Sequence, residues 1–461
     1  MITLVILALV GLFLMIAGIF DISRKASFGV AFTGMVVALA SNLYMWDKVP
    51  MAYFNRMIVI DNYDIAFISA VLCISMFLFL LSENYFGKIQ NYLTEHYALY
   101  LFAIVGMIAM ISFNNLVMLF IGIEILSVSL YILAGSEKNN PASNEASLKY
   151  FLMGAFATGI LLMGITLIYG ASGSFYLSGI EEYFTSGTEL SAIAYVGMFL
   201  VLIGMSFKMS IAPFHFWTPD VYDGSPTFVT AFMSTIVKIA GFASFFKLFY
   251  ICFSSVTHFW MEVVAVLAAL TITVGSMSAI NQKSLKRLLA FSSVSHAGYM
   301  LIVVLVGANS DDLMYYMIAY AIGSIVAFGV MMLIENETGN TDISSFDGLA
   351  KQNPFLGFIM TVAMLSLAGI PLTAGFMAKF YVLSSALNAG HTILVVVAIL
   401  NAMVGIYYYF KVIIAIYFKE AKNTALTTVY PATSLYKIVL FLGIIAIIVL
   451  GICPDIIHNL I

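Results

Sequence analysis

The sequence predicts an all-α integral membrane protein with about fourteen transmembrane helices. Of its 461 residues, 62% are hydrophobic and 9% are charged, whereas soluble domains carry about 25% charged residues. So few charges cannot solvate the surface of a soluble protein of this length. The 38 Phe and 26 Tyr residues fit helices whose sides face acyl chains and whose ends lie at the interfaces. Lipid is therefore the expected solvent for most of the chain.

Fourteen segments contain the roughly 20 mainly apolar residues that a spanning helix needs. They are approximately 2–20, 27–46, 63–82, 97–113, 115–134, 147–170, 190–222, 226–250, 259–281, 286–307, 312–334, 354–386, 392–417 and 435–453. The seventh and twelfth are too long for one straight crossing and contain Pro213 and Pro371, so we expect both to be broken. The first segment precedes Arg24 and Lys25, whereas a signal peptide has its positive charges first, so we expect a retained helix.

The distribution of Lys and Arg between the loops predicts the orientation. If the N-terminus is outside, the outside loops hold only Lys48 and Arg56. The inside loops then hold Arg24, Lys25, Lys88, Lys138, Lys283, Lys286, Arg287, Lys351, Lys419, Lys422 and Lys437. The loop at 171–189 carries Glu181, Glu182 and Glu189 without Lys or Arg, as an outside loop can. An even number of spans returns the C-terminus to the outside.

Several classes of site are excluded by composition. The 19 Lys and Arg residues are scattered and form no basic patch, so nucleic acid is not an expected partner. Cys73, Cys252 and Cys453 lie far apart and predict neither a zinc nor an iron–sulfur site. No nucleotide-binding fingerprint is present. We therefore expect no metal or cofactor on this chain.

Four charged residues fall deep within the apolar segments: Glu124, Lys208, Lys238 and Lys379. A charge at the bilayer centre costs about 2.5–3.5 kcal/mol on insertion scales, so such residues generally have a function. Burial lowers the pKa of a lysine, which then exchanges protons near neutral pH. Static ion pairs between helices are the alternative, but they need equal numbers of partners, and here three lysines face one glutamate. The imbalance favours a proton relay.

Two histidines lie within predicted helices. His215 follows Pro213 closely and lies seven residues after Lys208, on the same face if the helix continued. His296 follows a serine-rich run. Histidine titrates near neutrality, although a buried histidine is often structural, so both roles stay open for each.

The prolines favour a polar environment for two of the lysines. Pro213 leaves a backbone carbonyl unpaired, and broken membrane helices occur where protein or water lines them. Gly369, Pro371 and Gly375 predict the same beside Lys379. The remaining membrane lysines lie near segment ends, where snorkelling to the interface is the simpler interpretation. They are Lys149, Lys247 and Lys411.

The positions of the two breaks predict an inverted repeat. If segments four to eight and nine to thirteen form two five-helix units, each unit has its break in its fourth member. An odd number of spans makes the second unit enter from the opposite side, as in many transporters. The predicted divisions are 1–96 for the first three helices, 97–250 and 259–417 for the repeats, and 418–461 for the last helix.

Three sequence runs carry a resemblance to a known family. They are FKMSIAPFHFWTPDVYDGSPT at 207–227, STIVKIA at 234–240 and RLLAFSSVSHAGY at 287–299. They resemble the antiporter-like, proton-pumping membrane subunits of NADH:quinone oxidoreductase, respiratory complex I. The VYDGSP run and Lys238 are similar to the subunit N group, and the resemblance covers about the whole chain.

The resemblance implies site residues and a mechanism. Quinone reduction elsewhere in the complex would drive H⁺ outward through a charged axis. Its implied members are Glu124, Lys208, Lys238 and Lys379, with His215, His296 and Lys149 at further family positions. Phe291 stands where close relatives often have Tyr, so any water held by that hydroxyl must be managed differently here.

The resemblance also implies the setting. FMN, iron–sulfur clusters and quinone would be bound by partner subunits, with no redox chemistry on this chain. The implied partners are the antiporter-like subunits M and L, the lateral helix of L, the small subunits J and K, and the lipid bilayer. The implied location is the bacterial inner membrane, with both termini on the periplasmic side. A subunit of a multi-subunit Na⁺/H⁺ antiporter is the alternative, and a scaffold without transport is disfavoured by the four deep charges.

Overall fold

The computed structural model describes residues 1–20, 22–86, 93–186, 191–307, 310–420 and 433–458. Within these residues, twelve helices are long and apolar enough to cross a membrane. They are α1 (Ile2–Ala17), α2 (Arg24–Leu43), α3 (Asn62–Phe79), α5 (Leu93–Ile111), α6 (Leu116–Ala134), α7 (Pro141–Ser172), α11 (Thr227–Cys252), α12 (Thr257–Ile280), α13 (Leu285–Val306), α14 (Ser310–Thr338), α18 (Thr392–Phe418) and α19 (Ser434–Ile452). Short 3-10 turns extend the first, at Gly18–Phe20, and precede α12, at Ser254–Val256. The predicted all-α membrane fold is confirmed.

Shorter α-helices lie between and after these, and a further 3-10 turn lies at Ile343–Phe346. The shorter α-helices are α4 (Ser82–Tyr85), α8 (Leu177–Thr185), α9 (Ala192–Lys208), α10 (Trp217–Gly224), α15 (Leu349–Gln352), α16 (Pro354–Ala368), α17 (Ala374–Asn388) and α20 (Asp455–His458). The seventh predicted segment corresponds to α9 and α10, and the twelfth to α16 and α17. Each of the other twelve predicted segments lies on one long helix.

Both predicted helix breaks are present. The chain leaves helical geometry between α9 and α10, at 209–216, and between α16 and α17, at 369–373. Pro213 and Pro371 lie within these two stretches. The prolines alone do not set the ends, because α9 ends five residues before its proline, at Lys208. The second break begins at Gly369, which has φ +83° and ends α16 in the left-handed conformation that glycine adopts without strain.

Two elements on the predicted outside were not anticipated. Strands β1 (Met51–Tyr53) and β2 (Ile58–Ile60) form an antiparallel hairpin in which Tyr53 pairs with Ile58. They are far too short for any criterion based on spanning length. Helix α8 lies in the expected loop at 171–189 and buries Leu177, Ile180 and Phe184. Glu181 and Glu182 are on α8, whereas Glu189 lies outside the described residues.

Helices α11, α13 and α14 form the centre of the bundle. In the most apolar 18 residues of these helices, 100%, 94% and 89% of the residues are buried, compared with 28% for α1 and 33% for α2 at the periphery. A polar residue on α11 or α13 therefore has no lipid to face and must find its partners within the protein. Lys238 is on α11 and His296 is on α13. Two lysines used to predict the orientation, Lys88 and Lys422, lie outside the described residues.

Candidate functional site

The first of the predicted lysines, Lys208, is the last residue of α9 and is buried. Its ammonium group donates hydrogen bonds to Ser127 Oγ at 2.8 Å and to the Tyr150 hydroxyl at 3.3 Å. Ser127 lies one turn after Glu124 on α6, on the same side of that helix. Within the described residues Lys208 forms no ion pair, and Glu124 Oε1 is buried without a hydrogen-bond partner. Lys208 therefore contacts a neutral hydroxyl one turn from Glu124, and within the described residues the two predicted partners form no ion pair.

The chain between α9 and α10 is held by polar contacts. The Trp217 indole donates to the Phe207 carbonyl at 3.0 Å, which satisfies an acceptor at the open end of α9. The Ala212 amide donates to Thr271 Oγ1 on α12 at 3.0 Å. The break thus keeps its backbone groups paired with protein, as a non-helical segment at membrane depth requires.

His215 lies in this same break and is buried, and its Nδ1 has no hydrogen-bond partner in the described part of the chain. The condition for a shared helical face with Lys208 is not met, because α9 ends at Lys208 and the residues between the two are not helical. The structure brings the two residues into one segment without a hydrogen bond between them.

Lys238 is 2% exposed, near the middle of α11. Its ammonium group donates to the carbonyl of Ser293 on α13. His296 lies one turn further along α13, so α13 connects the two titratable side chains. Within the described residues Lys238 forms no ion pair.

The His296 ring is buried and contacts hydroxyl groups at both nitrogens. Nδ1 is 2.8 Å from the Tyr316 hydroxyl, and Nε2 is 3.2 Å from the Tyr409 hydroxyl. Tyr409 also hydrogen-bonds to the Ser292 hydroxyl. Because a hydroxyl both donates and accepts, this group accommodates either tautomer of the imidazole. The arrangement suits passage of a proton from one side of the ring to the other.

Lys379 is on α17 and interacts with the other half of its own broken segment. Its ammonium group donates to the carbonyls of Leu367 at 3.1 Å and Ala368 at 2.8 Å, at the C-terminal end of α16. A helix C-terminus carries a partial negative charge and unpaired carbonyls, so it attracts a cation. Gly375 allows the close approach of the two half-helices, because a Cβ there would overlap the Ser366 carbonyl oxygen.

Lys149 lies near the N-terminal end of α7 and is 41% exposed. It pairs with Glu145 at 2.7 Å and with Asp220 on α10 at 3.0 Å. Asp220 also accepts from Arg287 on α13 at 2.9 Å. Lys149 therefore lies in a surface ionic network rather than beside the buried lysines.

Two other lysines differ from the expectations. The prediction that Lys247 extends to the interface is wrong, because its ammonium group is buried and lies 2.8 Å from Asp64 Oδ1. Lys286 was expected in an inside loop, but it is buried at the start of α13, where it donates to the Ser225 carbonyl. In both cases the partner is far away in sequence, so composition and spacing gave no indication of it.

Four hydroxyl side chains of the site were not predicted from the sequence. Ser127 and Tyr150 contact Lys208, and Tyr316 and Tyr409 contact His296. Ser127 alone had a usable indication, since it lies three residues after Glu124 on one helix. Among the described residues, no group of three His, Cys, Asp or Glu is placed to hold a metal ion.

Comparison with known proteins identifies the family. Residues 113–405 match the family described as "NADH:quinone oxidoreductase/Mrp antiporter, TM", and this stretch includes all seven predicted site residues. The chain belongs to this family. Within it, subunit N of the NADH-quinone oxidoreductase of Cytophaga hutchinsonii is 42% identical over 435 residues, covering 94% of this chain and 93% of that protein. The subunit N of Flavobacterium psychrophilum is 39% identical and covers 99% of both chains. This member of the family is therefore of the subunit N type.

Solved structures agree with the assignment. Respiratory complex I from Thermus thermophilus with bound aureothin contains a chain that is 32% identical, with a TM-score of 0.83 and coverage of 99% of this chain and 98% of that one. The Mrp complex from Dietzia sp. DQ12-45-1b matches with a TM-score of 0.85 at 19% identity. The fold is therefore common to both branches of the family, and the sequence identity distinguishes the subunit N branch.

Proposed function

We propose that this chain, a membrane subunit of a proton-translocating NADH:quinone oxidoreductase, moves H⁺ outward along an axis of Glu124, Lys208, Lys238 and Lys379. Quinone reduction in other subunits drives the transfer, and this chain performs no redox chemistry. The observation that carries the proposal is the state of the three lysines. Each is buried, and within the described residues each ammonium group donates to hydroxyl or carbonyl oxygens and to no carboxylate. A lysine without a fixed counter-ion is not committed to the charged form, as a relay requires.

The proposed route runs from α9 through the centre of the bundle to α17. Lys208 is the first residue to accept the proton, and Lys238 is the second. From Lys238 the proton passes along the α13 face that carries Ser293 and His296, through water where side chains do not touch. Lys379 is the last residue to carry it before the outside. His296 lies between the contacts of the two lysines on α13, because Lys238 contacts Ser293, one turn before it, and Lys379 lies 5.4 Å from the Tyr299 ring, one turn after it.

Coupling acts at Glu124 in this proposal. The carboxylate is half-buried and its Oε1 has no partner among the described residues, so it is able to change its position or its charge without breaking a hydrogen bond. Lys208 contacts Ser127, which lies one turn from Glu124 on the same helix. When Glu124 approaches, the ammonium form of Lys208 is stabilised; when it retreats, Lys208 releases its proton. His215 and Lys149 are accessory members at the first break and at the inside surface.

The setting is part of the proposal. The FMN, iron–sulfur clusters and quinone are bound by partner subunits, and the neighbours are the antiporter-like subunits M and L, the lateral helix of L, and subunits J and K. The membrane is the bacterial inner membrane, with both termini periplasmic. The units 97–250 and 259–417 act as inverted halves around Lys238, with 1–96 and 418–461 at the periphery.

The test is a pair of substitutions in the intact complex. We expect Lys208→Ala and Glu124→Ala to lower the number of protons pumped per electron while the complex still assembles. Proton uptake in inverted membrane vesicles, divided by the rate of NADH oxidation, measures this ratio. Lys351→Ala is the matched control, because that lysine is exposed on the inside surface. An unchanged ratio in either site variant would remove that residue from the proposed route.

A further inference from the structure

One carboxylate, that of Asp220, attaches α10, the second half of the first broken segment, to two other helices. Asp220 Oδ2 accepts from the Lys149 ammonium group on α7 at 3.0 Å. Its other oxygen, Oδ1, accepts from the Arg287 guanidinium on α13 at 2.9 Å. The same side chain therefore connects α10 to a helix of the first predicted repeat and to a helix of the second.

A second carboxylate on α10 supports the same attachment. Asp223 lies 3.9 Å from Arg287 and accepts from the Ser284 hydroxyl at 2.9 Å. The charged groups surround a small cavity of about 190 Å³. At its edge α10 packs so closely on α7 that a Cβ at Gly224 would meet the Ala142 carbonyl oxygen at 2.6 Å. The network is thus built onto a close helix contact rather than formed by loose surface side chains.

The contacts of α10 lead from this network to Lys208. Trp217, the first residue of α10, stacks on the Tyr150 ring at 4.7 Å with an interplanar angle of 10°. Tyr150 directly follows Lys149 on α7, and its hydroxyl accepts from Lys208. Trp217 also donates to the Phe207 carbonyl, beside Lys208 itself. A displacement of α10 would therefore act on Lys208 through Tyr150 and through the end of α9.

We propose that Asp220 is a positioning residue for Lys208: its two ion pairs fix α10, and α10 in turn fixes Tyr150 and the end of α9 around the Lys208 ammonium group. Asp220 does not itself carry the proton. The inference rests on the proposed function for its effect on pumping, but its effect on the α9–α10 break is independent of that function.

The alternative is a group of surface ion pairs without influence on the site. Exposed ion pairs generally contribute little, and the side chains of Lys149, Asp220 and Arg287 are 36–41% exposed. The connection of three helices by one carboxylate distinguishes Asp220 from its neighbour Glu145. Within the part of the chain that the structure describes, Glu145 forms its one ion pair with Lys149, on its own helix. Glu145 is therefore the matched control: it has the same charge in the same network, but its ion pair lies within α7.

The experiment compares Asp220→Asn, Asp220→Glu and Glu145→Gln in the assembled complex. Amide hydrogen exchange of peptides covering 205–226 reports the local effect, and protons pumped per electron report the functional one. We expect exchange in this segment to become about threefold faster in Asp220→Asn, as for the loss of two partly exposed ion pairs. Pumping should fall in parallel. Asp220→Glu should recover part of both, and Glu145→Gln should leave both unchanged.

The outcomes separate the two proposals. Unchanged exchange in Asp220→Asn, or an equal change in Glu145→Gln, overturns the positioning role. Faster exchange with unchanged pumping overturns it as well, unless Lys208→Ala also leaves pumping unchanged, in which case the proposed function fails and the structural attachment of α10 stands. If Asp220→Asn does not assemble, Arg287→Gln, which removes one of the two ion pairs, is measured for the same faster exchange at 205–226.

Discussion

The buried pair of Lys247 and Asp64 gives a quantitative prediction about stability. The ammonium nitrogen lies 2.8 Å and 3.0 Å from the two carboxylate oxygens, and the side chains are 7% and 0% exposed. Asp64→Asn keeps an oxygen for the capping box at the start of α3, where the Asp61 amide donates to Asp64 Oδ2. It removes the charge that compensates Lys247. Leaving one buried charge unpaired costs about 3–5 kcal/mol.

The magnitude is reduced by what Lys247 keeps. Its ammonium group also contacts the Ile111 carbonyl at 3.4 Å, so the lower end, about 3 kcal/mol, is the better expectation. If the Lys247–Asp64 interaction is already broken in the transition state for unfolding, most of this free energy appears in the unfolding rate. The half-life of the complex at a fixed temperature then falls by about 100-fold. Lys247→Met, which leaves a buried carboxylate, should have a similar effect. The double variant Asp64→Asn/Lys247→Met should be much less damaging than the sum of the two, because no charge remains unpaired.

The assay is the loss of assembled complex with time at one elevated temperature, followed on native gels. Lys351→Met controls for the loss of a lysine from the surface. Strict additivity of the two single variants would refute the reasoning, because it would mean that the groups do not compensate each other's charge.

Two further predictions concern the site. Gly369→Ala should weaken proton pumping and destabilise the chain by about 1–2 kcal/mol, because residue 369 has φ +83° and a Cβ would lie 2.9 Å from Lys379 Cδ. Proton pumping and the thermal stability of the complex measure the two effects. Gly390→Ala, with φ +88° and open space around it, separates backbone strain from contact with the lysine. Tyr409→Phe should slow proton transfer and lower the free energy of unfolding by about 1–3 kcal/mol, because it leaves His296 Nε2 and the Ser292 hydroxyl without this buried partner. Tyr407→Phe, on the exposed side of α18, is its control, and equal rates in the two variants would argue against a role for the Tyr409 hydroxyl.

Much of the architecture could be predicted because the bilayer imposes a length and a polarity on each helix. The apolar runs alone gave the order of the helices, and Pro213 and Pro371 marked the two breaks. The ends of the broken helices were less predictable. Lys208 ends α9 five residues before its proline, and the seven-residue spacing to His215 consequently has no helical meaning.

The site was predictable in its charges and not in its contacts. Lys208, Lys238 and Lys379 stand out in sequence because each is costly in an apolar segment. Their partners are ordinary Ser and Tyr side chains or backbone carbonyls, and nothing in composition separates Tyr150 from a tyrosine at an interface. The same limit hid the Lys247–Asp64 pair, whose members are 183 positions apart. Long-range pairing appears only once the helices are packed.

The contact between Lys379 and the end of α16 makes charge and mechanics inseparable at the second break. The ammonium group supplies the donors for two carbonyls that the helix itself leaves unpaired. If this amine released its proton, as the proposed relay requires, it would lose both a donor and its attraction to the helix dipole, and the contact between α17 and α16 would weaken. Conversely, any force that separates the two half-helices makes the proton easier to remove. In the proposed relay, a movement of α17 relative to α16 and a change of charge on Lys379 would therefore accompany each other.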